Sequence, residues 1–145
     1  MSTQPSNHFM FHLMSGDVDF DADSFKIILM DTGFVFDIDN HSDYADVSAS
    51  ELATGNGYTA NTKALAGVAV TQDDGDNRTE VTWNNVVWTA SGGAIGPVAG
   101  AIIIDDTVAN DPVVGYIDFA TERNQADGGA FTIANPEVRL QRITT

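Results

Sequence analysis

The 145-residue chain reads as an all-β protein, an antiparallel β-sandwich or jelly-roll-like single domain with at most one short helix. Three observations predict this. Apolar and β-branched residues fall in short runs of strand length. The runs are separated by turn clusters such as Asp73-Asp74-Gly75-Asp76-Asn77, Ser91-Gly92-Gly93 and Asp127-Gly128-Gly129, whose glycines reach positive φ without a Cβ clash. Only residues 42–52 suggest a helix, and their Ser and Asp content makes it a turn or two.

In chain order, residues 1–8 are polar and form a candidate mobile arm, leaving 9–145 as the domain. The run Phe9-Met10-Phe11-His12-Leu13-Met14 reads as a first core strand or a docking segment. Residues 24–30 carry the best strand signal, with Phe25, Ile27 and Leu29 on one face. Within 42–52, Ser48 and Glu51 have capping-box spacing. Further strands are expected over 65–70, 79–83, 86–90, 97–104, 113–120, 130–134 and 137–143. In 113–120, Val114, Tyr116 and Asp118 alternate with Gly115, Ile117 and Phe119. In 137–143, Val138 and Leu140 share a face that excludes Arg139.

Six Lys and Arg against 21 Asp and Glu give a net charge of −15. That balance argues against nucleic-acid partners and anionic membrane surfaces, whose affinity rests on Lys and Arg. The first fifty residues hold nine aspartates and one lysine, so one end of the domain should be strongly negative. Without cysteine there is no disulfide and no thiolate chemistry. The first residues lack the pattern of a signal peptide and no apolar run is long enough to span a bilayer, so a soluble domain is expected.

The acidic residues supply two candidate constellations. Asp17, Asp19, Asp21 and Asp23 alternate and could gather hard oxygen ligands for calcium, yet Ala22 stands where a calcium loop needs Gly and Ile28 where it needs Glu. The competing reading has Val18 and Phe20 facing inward with the aspartates in water, and no metal is expected on balance. Asp37, Asp39, His41 and Asp43 suit a transition metal or an acid–base pair, or simply a loop whose side chains satisfy its own backbone. His8, His12 and His41 are the only histidines, and no Gly-x-Ser-x-Gly elbow or phosphate-loop Lys accompanies them, so no catalytic residue and no cofactor are expected. His12 reads as a packed or rim residue. Trp83 and Trp88 are candidates for stacking on sugar rings or for the core. Asn77-Arg78-Thr79 is a chance-level glycosylation triplet.

The ordered set Met14-Ser15-Gly16-Asp17-Val18-Asp19-Phe20, Phe25 to Met30, Asp46 to Thr59, Val87 to Gly93 with Ile95-Gly96-Pro97, and Gly115-Tyr116-Ile117-Asp118-Phe119 resembles small β-rich virion structural proteins of tailed bacteriophages. The likeness runs over roughly residues 10–143. It implies a non-enzymatic particle component made in the host cytoplasm, and carries over no catalytic residues. The leading expectation is a capsid decoration (cement) protein on the shell exterior, binding the major capsid protein as a homo-oligomer and stabilising the lattice by mass action. A tail adaptor, tail-tip or fibre-associated protein is the alternative. A calcium-dependent carbohydrate-binding module is the alternative from another class. Phe9, Phe11 and Leu13 are the candidate interface residues for docking or self-association, set against a first core strand built from the same three.

Overall fold

The computed structural model describes residues 2–142; the last residue of the expected closing strand, Ile143, lies outside them. Among the described residues nine strands and two short α-helices follow in order: β1 (Ser2–Pro5), α1 (Asn7–Ser15), β2 (Phe25–Asp31), α2 (Tyr44–Val47) continued by a 3₁₀ turn (Ser48–Ser50), β3 (Ala69–Asp73), β4 (Arg78–Thr82), β5 (Val86–Thr89), β6 (Ile95–Asp105), β7 (Val113–Gln125), β8 (Ala130–Ile133) and β9 (Glu137–Gln141). All strand pairing is antiparallel. The principal sheet has the order β1-β7-β6-β2; a second, β3-β4-β9, and a third, β5-β8, complete the fold. The expected all-β class is therefore the observed one.

The principal sheet is buried on both faces, which is why β2 and β6 are nearly continuous apolar runs. Phe25, Ile27 and Leu29 of β2, with Ala101 and Ile103 of β6, face a core shared with Val81, Trp83, Trp88, Phe131 and Val138 from the smaller sheets and their flanks. Ile28 and Met30 join Ile102, Ile104, Val113 and Tyr116 in a second cluster on the opposite face, covered by Phe34, Phe36 and Tyr44. The strict alternation expected over 113–120 does not hold. Val114 faces the first core, whereas Tyr116 faces the second with Val113. The β6–β7 register shifts between Ile103 and Ile104, opposite Gly115 and Val113, and an extra residue on one strand re-aims every side chain beyond it.

The amino-terminal segment departs most from expectation. Residues 2–5 of the polar arm form β1, paired in register with Gly115–Asp118 of β7. The apolar run that follows is helix α1, not a core strand. Buried Ser6 is its N-cap: Oγ accepts from Phe9 N–H at 2.9 Å and donates to Val113 O at 2.6 Å. Gly16, at φ 82°, closes the other end in the left-handed region that favours glycine. The short helix expected over 42–52 does occur, but its capping box is Asp43–Asp46, five residues before the Ser48–Glu51 pair.

Candidate functional site

The three candidate interface residues part company on α1. Phe9 is buried and meets Phe20 edge-on, with ring centroids 5.9 Å apart. Leu13, one turn on, is partly buried against the same core. Phe11 is 66% exposed, together with Met10 and with Met14 at 89%. Apolar residues thus occupy both the inner (i, i+4) stripe and the outer face, which hides the helical period in the sequence. Beside α1, Phe9, Leu13, Val70, Val81, Val138 and Leu140 help to line an apolar notch of about 120 Å³. The loop ahead of α2 is tied to the start of α1 by the Asn7 N–H to Ile38 O bond at 3.1 Å, and exposes Val35 and Ile38.

Asp17, Asp19, Asp21 and Asp23 do not converge on one point. Val18 and Phe20 do face inward, but in a turn rather than a strand entry. Asp19 Oδ1 accepts from Asp21 N–H at 2.9 Å and Asp23 Oδ2 from Asp19 N–H at 2.7 Å, so two of the carboxylates hold their own loop together. Asp17 turns back to α1, where Oδ2 lies 2.9 Å from His12 Nδ1 and accepts from Ser15 Oγ at 2.9 Å. Those bonds hold its carboxyl below the usual range. The carboxylate stands between hydroxyl and imidazole. Activating a serine needs the imidazole in the middle, so these three residues do not compose a nucleophilic triad.

The second acidic group is also largely loop chemistry. Asp37 accepts from the backbone N–H of Asp39 at 2.9 Å and from the Asn40 side chain at 2.8 Å, interactions that lower its pKa, side-chain bond first. His41 stacks on Phe34 with centroids 5.3 Å apart. Asp43 is separate from them, facing α1 with Oδ1 4.0 Å from His8 Nε2. His8 and His12, one turn apart, bring their Nε2 atoms within 2.5 Å. Among the described residues no set of three or more His, Asp or Glu side chains is placed to hold a metal.

Trp83 and Trp88 are buried, 3% and 5% exposed, so neither indole offers a stacking face to a sugar. Their rings pack instead on Phe25 at 5.5 Å and Phe131 at 6.1 Å.

A buried polar knot escaped the sequence reading. Glu51 Oε1 accepts from the Tyr58 hydroxyl at 2.6 Å and from Asn61 N–H at 2.7 Å, and Oε2 accepts from the Tyr44 hydroxyl at 2.7 Å. Burial raises both phenols, Tyr44 to about 12, with the Glu51 carboxylate adding to the effect. The only sequence signal is a lone Glu between two tyrosines seven residues to either side. Comparison with known proteins finds no matching family model, no matching curated protein and no matching solved structure.

Proposed function

We propose that this chain is a non-enzymatic structural component of a bacteriophage particle, a decoration protein that binds the outer shell and stabilises it. The observation that carries the reading is the exposed face of α1, where Met10, Phe11 and Met14 present three large apolar side chains on a protein of net charge −15. Such a face on an acidic domain is suited to docking on another protein surface, because apolar burial supplies the attraction while like charge discourages non-specific clustering. The interface set is accordingly Met10, Phe11 and Met14, with Leu13 at the margin and Phe9 assigned to the core. The acidic surface favours the shell exterior over contact with packaged genome. Repeated weak contacts across a lattice would add up to tight attachment, and a homo-oligomer would multiply them.

The test is the copy number in purified particles, measured by quantitative peptide mass spectrometry against the major shell protein. Hundreds of copies per particle are expected. A few copies would move the protein to the tail or a vertex. Absence from particles would overturn both placements and leave binding to isolated glycans, with and without calcium, as the next measurement.

A further inference from the structure

We propose that His8 and His12 on α1 form a two-imidazole site for a divalent transition-metal ion of the zinc class, with Asp43 becoming a third ligand only after its side chain rotates.

Four features of the geometry support this. The two histidines are spaced i, i+4, which places their rings on one helix face, the spacing that lets two imidazoles hold one ion. Their Nε2 atoms converge to 2.5 Å, and the ring centroids lie 4.4 Å apart. Two ring nitrogens meeting head-on share at most one hydrogen, and 2.5 Å is shorter than an ordinary hydrogen bond between them. An ion bonded to both, at ~2.0–2.1 Å from each nitrogen, replaces that contact with two favourable ones after a small opening of the pair.

The second feature is the carboxylate behind the pair. Asp17 Oδ2 lies 2.9 Å from His12 Nδ1. An ionised carboxylate only accepts, so the hydrogen belongs to Nδ1, and Nε2 of the same ring faces His8. A carboxylate on the far nitrogen is the usual outer support of a metal-bound imidazole, fixing both tautomer and ring orientation. Third, Asp43 Oδ1 stands 4.0 Å from His8 Nε2, close enough for side-chain rotation to bring a third, oxygen ligand to the ion. Two imidazoles and one carboxylate with the remaining positions open to water match the ligand preferences of zinc and its neighbours rather than of calcium or magnesium. Fourth, Phe11 packs edge-on against both rings, 6.5 Å from His8 and 5.6 Å from His12, and narrows their freedom. The pair remains reachable: the side chains of His8, His12 and Asp43 are 34%, 17% and 29% exposed.

The experiment titrates Zn²⁺ into the full-length protein, read by calorimetry and by the ¹⁵N resonances of the histidine rings. One ion per chain is expected, with the His8 and His12 Nε2 resonances shifting and those of His41 unmoved. His12→Ala and His8→Ala should each weaken zinc binding at least ~10-fold, and Asp17→Asn by roughly 10- to 100-fold, while His41→Ala leaves it unchanged. Calcium should not compete. Zinc binding that survives the double substitution His8→Ala/His12→Ala would reassign the ion to surface carboxylates and overturn the proposal. So would unshifted His8 and His12 resonances in the unaltered protein, a result that does not depend on how any variant folds.

Discussion

Glu51 Oε1 and the Tyr58 hydroxyl lie 2.6 Å apart in the core, and the same hydroxyl accepts Leu29 N–H of β2 at 3.0 Å. This relay closes an open edge. Beyond β2 the principal sheet has no further strand among the described residues, and irregular chain takes that place: Glu51 bridges Met30, Ala64 bridges Lys26, and Ile27 N–H donates to Lys63 O at 2.9 Å. Covering an edge with irregular chain blocks edge-to-edge pairing. A buried carboxylate persists there because three donors replace its hydration.

Glu51→Ala orphans two phenols and one backbone N–H. It should lower unfolding free energy by about 3 kcal/mol, and Tyr58→Phe by about 1–3 kcal/mol, both read from urea midpoints. A loss below ~1 kcal/mol for Glu51→Ala would mean the knot is ornamental.

Asp105 provides a pH-dependent counterpart. It is fully buried; Oδ1 accepts from Thr107 N–H at 2.8 Å and Val108 N–H at 3.2 Å, while Oδ2 has no hydrogen-bond partner among the described residues. Burial, with Asp23 nearby, pushes its pKa up to about 6. An acid whose folded pKa is raised favours folding while protonated. That contribution is complete below the unfolded value of ~3.9 and is lost as pH rises through about 6. Asp105→Asn keeps the Oδ1 acceptor and removes the buried charge. The variant should exceed the parent by about 1–3 kcal/mol at pH 7 and lose that advantage at pH 4, in paired thermal melts. An advantage independent of pH would show that Asp105 does not titrate in this range.

The two faces of α1 should separate stability from attachment. Phe9→Ala removes a core ring and is expected to cost about 3–5 kcal/mol. Phe11→Ser and Met14→Ser should change stability by less than ~0.5 kcal/mol while abolishing co-sedimentation with particles. Retained co-sedimentation in the double variant would exclude this face from docking.

Gly57 is held at φ 92°, and a Cβ there would lie 2.0 Å from Thr89 O. Gly57→Ala combines left-handed strain with a backbone clash and should cost about 3 kcal/mol, shown by a lower urea midpoint. Gly128, also at positive φ but with open space around its Cβ direction, should tolerate Ala at about 1 kcal/mol.

Local chemistry made much of the fold legible. Turn clusters bounded the strands because Gly and Asx residues reach backbone angles that others resist, and β2 was evident because Phe25, Ile27 and Leu29 recur at the strand period of two. The candidate sites were less legible. The aspartates of 17–23 alternate as ligands would, but whether carboxylates converge depends on the chain's path, and here it turns them onto their own N–H groups and onto His12.

The sequence by itself determined the all-β class, the acidity, the positions of most strands and the inward aim of Val18 and Phe20. Periodicity and turn propensity act between near neighbours and need no knowledge of the rest of the chain. Tertiary structure decided which face of the helix over residues 7–15 is buried, and tied its N-cap to β7 through the Ser6 hydroxyl bond to Val113 O. It also set the β7 bulge, buried both tryptophans, and brought Asp43 across to the His8–His12 pair. Contacts between residues far apart in the chain depend on how the sheets pack, and no local pattern encodes that packing.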